Sequence, residues 1–226
     1  MSVPTNQKSL TLPSGTTYSY IYHSPSPSKP VLLFLHGFPS TSYEWRLQIP
    51  FFISLGYGIL APDLLGYRDS SRPTSPSAYL GSIMAADIIS ILEHESVASP
   101  IIGIAHDWGT YLLSQLATYY SNRFQKFVFI SVPFRPPGNM MDVHTVNQVT
   151  EKEMGYPMCE YWLFFTENGV GKLLGQHVSS IQFRPNLKLC SEAFLELRRK
   201  NAEEMFSGSH GLIFSTQRMR KLGQLH

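Results

Sequence analysis

Ile101-Ile102-Gly103-Ile104-Ala105-His106-Asp107-Trp108-Gly109 runs from an apolar segment into a turn where an acid stands between small residues. A short apolar run ended by a turn reads as a buried strand. Helical spacing follows from Thr110 to Tyr120. Small residues at Ala105 and Gly109 let strand and helix approach closely around a strained turn. Such a turn lifts its middle side chain outward and aims helix N-terminal N–H groups at it. Asp107 is that middle residue, and a carboxylate presented this way can attack carbon to form an ester. Aspartate is also a common helix N-cap, so this segment alone leaves two readings.

A second segment upstream decides between them. Val31-Leu32-Leu33-Phe34-Leu35 is a fully apolar strand, and His36-Gly37-Phe38-Pro39 follows it directly. A strand and loop of this kind, placed before a strand–acid–helix turn, matches the oxyanion loop and nucleophile elbow of the α/β-hydrolases. On these residues the chain resembles fungal-type epoxide hydrolases of the α/β-hydrolase superfamily. Further stretches carry the likeness: Trp45-Arg46, Ala61-Pro62-Asp63-Leu64-Leu65-Gly66-Tyr67, Val132-Pro133-Phe134-Arg135-Pro136-Pro137 and Tyr161-Trp162-Leu163-Phe164-Phe165. It runs from about Leu10 to about Lys172.

The resemblance implies an α/β fold with a mostly parallel sheet, flanking helices and a helical cap. It implies a hydrolase that opens an epoxide through an aspartyl ester and releases a vicinal diol. Asp107 would be the nucleophile. The backbone N–H groups of Phe38 and Trp108 would form the oxyanion hole. Tyr161, in the cap, would hydrogen-bond the epoxide oxygen. His36, with Gly37 and Pro39, would shape the oxyanion loop, and His106 would pack behind the nucleophile. Trp108 would also line an apolar pocket. The implied partners are a small apolar epoxide and water, with no cofactor and no metal.

The chain also departs from the family pattern. In complete relatives two more strands follow the cap and bring an acid and then a histidine that activates water. Here those last two core strands are missing from the pattern. The remaining candidates, His210 and His226, are expected to be exposed histidines. Ile213-Phe214 looks too short and isolated to replace a strand, which would leave Phe127–Val132 as an exposed sheet edge. Ester cleavage, and hence turnover, is therefore expected to be impaired. Arg68 and Ala105 stand where relatives often have glycine. Two other readings use the same elbow: a haloalkane or haloacid dehalogenase, and an inactive truncated hydrolase that acts as a binding module. Tyr161 and the Val132–Pro137 segment argue against the dehalogenase.

Composition narrows the class further. The 226 residues are 15% charged and 13% aromatic, with a formal net charge of +2, which argues against nucleic acid or an anionic membrane as partner. The basic run Arg198-Arg199-Lys200 is interleaved with Glu196, Glu203 and Glu204 and reads as a solvated helix face. The spacing of Cys159 and Cys190 does not imply a disulfide, and reduced thiols are the simpler expectation. The N-terminus lacks an apolar signal region, and no apolar run reaches membrane-spanning length, so a cytoplasmic location is expected. There is no metal-ligand spacing and no phosphate-binding glycine loop.

Strand and helix patterns alternate up to Val132, as in a parallel sheet wrapped by helices. Strands are expected at Ser9–Leu12, Thr16–His23, Val31–Leu35, Tyr57–Ala61, Ile101–His106 and Phe127–Val132. Helices are expected at Tyr43–Ser54, Leu80–His94 and Thr110–Tyr120. Pro133, Pro136, Pro137 and Gly138 then break the pattern. This divides the chain into a hydrolase core, residues 1–137, and a cap with a divergent tail, residues 138–226. Cap helices are expected at Asn147–Glu153, Glu160–Glu167, Val170–His177 and Cys190–Phe206, with a further helical piece at Ser215–Leu222.

Overall fold

The computed structural model describes residues 6–98, 100–136, 138 and 141–170, and the backbone of residues 212–215. In chain order the elements are β1 (Gln7–Thr11), β2 (Thr17–His23), β3 (Val31–Leu35), α1 (Gln48–Ser54), β4 (Gly58–Pro62), α2 (Gly81–His94), β5 (Ile101–His106), α3 (Trp108–Tyr119), β6 (Phe124–Ile130), α4 (Val143–Met154), α5 (Glu160–Thr166) and β7 (Leu212–Ser215). The expected helices Val170–His177, Cys190–Phe206 and Ser215–Leu222 lie, apart from Val170 and Ser215, outside the described residues. The described residues fall into two compact units: those up to 136 together with β7, and residues 138–170.

Every residue of β3, β4 and β5 is buried. Strands covered on both faces must be apolar throughout, which is why these segments do not alternate. Burying a Leu, Ile or Phe side chain of such a strand stabilises the fold by roughly 1.5–3 kcal/mol. The sheet order is β1-β2-β4-β3-β5-β6-β7. Strands β4, β3, β5 and β6 are mutually parallel, and β2 is antiparallel to both β1 and β4.

This order fixes where chemistry can occur. The chain leaves β3, lays down β4 on one side of it, then crosses back and lays down β5 on the other. The loops after β3 and β5 therefore diverge from the carboxyl ends of adjacent strands, where open α/β sheets form their ligand crevice. Leu35 pairs with Ala105 at that end, so His36–Pro39 and Asp107 emerge side by side.

Two expectations about the sheet edge need correction. Ile213 and Phe214 do form a strand: β7 pairs antiparallel with β6, in the register Phe127↔Phe214 and Val128↔Ile213. The edge of β6 is thus covered over four residues rather than bare. A strand this short suffices because backbone N–H and C=O groups along an apolar edge need partners that water does not supply there. Ser215 ends this strand and does not begin a helix. The strand β6 itself starts earlier than the spacing predicts, at Phe124, and it stops earlier, at Ile130, because Ser131 turns the chain with φ 70°.

The segment Tyr43–Ser54, expected as one helix, is two pieces. A 3₁₀ turn spans Ser42–Trp45, capped by the Thr41 hydroxyl, and α1 begins only at Gln48. Pro50 is the reason: it lacks an N–H, and its ring would collide with the Arg46 carbonyl, so no helical turn can run through Arg46. The helix α3 begins at Trp108 rather than Thr110, so the acid turn leads straight into it.

Helix α2 is fixed to the sheet by polar bonds as well as by its apolar face. The Tyr18 hydroxyl donates to Asp87 at 3.0 Å, and the Tyr20 hydroxyl to Glu95 at 2.6 Å. In the second unit, Asp142 caps α4 by accepting the His144 N–H, and Gly155 closes it in the left-handed conformation at φ 81°. No helix among the described residues is long and apolar enough to cross a membrane.

Candidate active site

Asp107 sits at φ 51°, ψ −123°, a conformation that L-residues rarely adopt. Strain of this kind costs on the order of 1–3 kcal/mol and persists only where the surroundings impose it. The surroundings here are explicit. The Asp107 N–H donates to the Ile130 carbonyl at 3.3 Å, and the Asp107 carbonyl accepts the Thr110 N–H at 2.9 Å and the Thr110 hydroxyl at 2.6 Å. The backbone is held from both sides while the carboxylate is left to point elsewhere.

The direction of that carboxylate separates the two sequence readings. Asp107 occupies the N-cap position of α3, yet its side chain makes no capping hydrogen bond. Instead Oδ1 accepts the Phe38 N–H at 2.8 Å, across the gap from the β5 turn to the β3 loop. A backbone donor aimed at a carboxylate oxygen is the geometry that can later hold an oxyanion. Trp108 follows at the first position of α3, 41% exposed, with its ring edge-on to Tyr111 at 6.3 Å.

Two glycines make the approach of loop and turn feasible. A Cβ on Gly37 would lie 2.4 Å from the Asp107 Cβ, and one on Gly109 would lie 2.4 Å from the Leu35 carbonyl oxygen. Neither space exists for a larger residue. The Phe38–Pro39 peptide bond that closes the loop is cis.

His36 is fully buried beneath the loop, with both nitrogens in use. Nδ1–H donates to the Gly37 carbonyl at 2.9 Å, and Nε2 accepts the Leu64 N–H at 2.9 Å. Tyr67 packs edge-on against its ring at 4.8 Å. Burial pushes the His36 imidazole below the usual histidine range, outweighing the hydrogen bond to Gly37 and the nearby Asp63 and Glu44 carboxylates. The sign of the linkage follows. The folded state resists the proton that the unfolded chain accepts near pH 6.5, so stability falls as pH drops below about 6.5. The variant His36→Gln, which carries no titrating ring, is expected to lower the urea midpoint at pH 7.5 but to lose less of it on going to pH 5. Equal losses in the two proteins would show that His36 does not carry this dependence.

His106, expected to pack behind the nucleophile, is buried and has a carboxylate partner. Its Nδ1 lies 2.5 Å from Glu44 Oε1, each side chain 11% exposed. Glu44 Oε2 in turn accepts the Gly37 N–H at 3.4 Å. Glu44 therefore joins the residue before Asp107 to the loop that donates to Asp107. Sequence reasoning passed over it. The available signal was an acid placed between Tyr43 and Trp45, in a turn whose tryptophan is buried against Phe34. Asp63 plays a comparable part nearby: 1% exposed, it accepts the Ser42 N–H at 2.8 Å and so anchors the turn that carries Glu44.

Tyr161 belongs to the second unit. It is the second residue of α5, 39% exposed, and packs edge-on against Trp162 at 6.2 Å and Phe165 at 5.7 Å. His210, His226 and Cys190 lie outside the described residues; Cys159 is buried. No group of three or more His, Cys, Asp or Glu among the described residues is arranged to hold a metal ion.

Comparison with known proteins bears on the family and the fold. Residues 30–213 match the family model described as the alpha/beta hydrolase fold. The epoxide hydrolase srdG of Neurospora crassa is 33% identical over 157 residues, covering 66% of this chain and 46% of that protein. The bifunctional epoxide hydrolase 2 of Sus scrofa is 27% identical over 225 residues, covering 94% of this chain and 35% of that protein. Among solved structures, an epoxide hydrolase from Vigna radiata superposes with a TM-score of 0.60 at 29% identity, covering 76% of this chain and 50% of that one. The chain spans half or less of the length of these relatives. With the family match over most of its length, and with the sheet order in place, the chain belongs to the α/β-hydrolase family and resembles its epoxide hydrolases.

Proposed function

We propose that this chain opens epoxides by nucleophilic attack of Asp107. The observation that carries the reading is the 2.8 Å hydrogen bond from the Phe38 N–H to a carboxylate that does not cap its own helix. The named activity of the relatives supports the same reaction class. In the first step an Asp107 oxygen bonds to an epoxide carbon as the carbon–oxygen bond of the ring breaks. Tyr161 hydrogen-bonds the departing oxygen and supplies the proton that makes it a hydroxyl. The product is a hydroxyalkyl ester of Asp107. In the second step water adds to the ester carbonyl, the N–H groups of Phe38 and Trp108 hold the oxyanion, and collapse releases the vicinal diol.

The two steps make different demands. Ring opening uses Asp107, its N–H donors and Tyr161. Ester cleavage needs a base to take a proton from water, and the candidates His210 and His226 lie outside the described residues. On this reading ester cleavage, which needs that further base, is the slower step.

The test is intact mass of the purified protein after incubation with excess styrene oxide, alongside diol analysis. A single covalent adduct on the native chain is expected. Steady diol with no adduct would retain epoxide opening and overturn the stall. Neither adduct nor diol from a folded protein would overturn the proposal. With Tyr161→Phe the adduct is expected to form about 10²-fold more slowly, the range for losing a general acid; an unchanged rate would remove Tyr161 from the reaction.

A further inference from the structure

Helix α5 carries Tyr161 but cannot set its own position. It has seven residues, and its N-cap residue, Cys159, makes no capping hydrogen bond with its own side chain. Helices this short are marginal in water, because nucleation costs more than a few hydrogen bonds return. Its neighbour α4 is different: twelve residues, an aspartate cap at one end and a left-handed glycine at the other. Something must transmit order from α4 to α5.

Two buried polar side chains on α4, three residues apart, face the segment that leads into α5. Asn147 is 7% exposed, and its Oδ1 accepts the Cys159 N–H at 2.8 Å while its Nδ2 donates to Glu160 Oε2 at 2.9 Å. Thr150 Oγ1 accepts the Met158 N–H at 3.0 Å. Residues 158 and 159 are thus tied by their backbones, and Glu160 by its side chain, immediately before Tyr161. The Asn147 amide satisfies both partners in one orientation only, since a carboxylate accepts and an N–H donates. A hydrogen bond to a charged group is stronger than one between neutral groups, which matters for a seven-residue helix.

We infer that Asn147 is a positioning residue for Tyr161: its side chain caps α5 from α4 and fixes where the phenol points. The inference rests on the ring-opening role proposed for Tyr161. Asn147 makes no claim on the substrate itself. It acts by restricting the first turn of α5, and misplacing an acid by about 1 Å can cost up to 10²-fold in rate.

The test combines a double-mutant cycle with a substrate-free readout. Asn147→Ala is expected to slow adduct formation with styrene oxide on the order of tenfold to a hundredfold, and to have no further effect in a Tyr161→Phe background. An equal loss in both backgrounds would overturn the inference, because Asn147 would then act elsewhere. Asn147→Asp places two carboxylates together and is expected to slow adduct formation as well. Adding Glu160→Gln restores a donor–acceptor pair with its direction reversed and is expected to recover the rate. A merely structural role predicts no such rescue. Independently, 3-fluorotyrosine at position 161 is expected to show a shifted or broadened ¹⁹F resonance in the Asn147→Ala protein. An unchanged resonance would overturn the inference even if the rate falls. If the native chain forms no adduct while the resonance moves, the positioning stands and the ring-opening proposal fails.

Discussion

Asp107→Ala is expected to abolish the covalent adduct with styrene oxide, with a loss on the order of 10⁴-fold or more, the scale seen when a nucleophile is removed. The expectation follows from the local structure. The Asp107 backbone is held by Ile130, Thr110 and the start of α3, so truncating the side chain leaves those bonds in place. Among the described residues the Phe38 N–H loses its partner, and Phe38 is half-buried, so water can take the place of the carboxylate. Folding should therefore survive while chemistry does not. No side-chain cap is lost either, since the carboxylate does not cap α3. If Asp107 were a structural cap after all, the urea midpoint would fall by an amount equivalent to about 1 kcal/mol and any adduct would persist. Urea unfolding and intact mass, measured on the same preparation, separate the two outcomes.

Gly37→Ala is expected to damage both stability and chemistry. The added methyl would lie 2.4 Å from the Asp107 Cβ, 2.6 Å from its Oδ1 and 2.9 Å from its Cγ. No rotamer change relieves a contact with a Cβ, so either the loop or the turn must move. Forced repacking of this kind costs about 1–3 kcal/mol. Movement also displaces the carboxylate that the Phe38 N–H holds at 2.8 Å, and misplacing a reacting group by about 1 Å can slow a reaction roughly 10²-fold. The combined result is a lower urea midpoint with adduct formation slowed about 10²-fold. Full adduct formation in a destabilised protein would mean that the loop can relax without disturbing the nucleophile.

Much of the core was legible in the chain because it depends on local pattern. The short apolar runs at 31–35 and 101–105, each ended by a turn, read as strands buried on both faces, and they appear where the pattern places them. The elbow was legible for a similar reason: Ala105, Asp107 and Gly109 record the steric demands of one turn. Boundaries were less so. Pro50 splits the expected helix through a clash with the Arg46 carbonyl one turn earlier, which apolar spacing does not register. Strand β7 was missed because three apolar residues and a serine carry no signal alone; the edge of β6 gives them a partner.

The sequence by itself determined which residues must be small, which must be apolar and which acid stands at the strained turn, because each reflects sterics or burial within a few residues. Only the tertiary structure decided which way that acid points. The crossover from β4 back to β5 puts the His36–Pro39 loop beside Asp107, and the Phe38 N–H draws the carboxylate away from the helix end that it would otherwise cap. The same is true of Glu44 and Asn147. Each gains its meaning from a partner far along the chain or on another helix, His106 for the one and Cys159 with Glu160 for the other. Polar partnerships across such distances leave no periodic trace, since hydrogen bonds depend on where the fold brings two groups and not on their spacing in the chain.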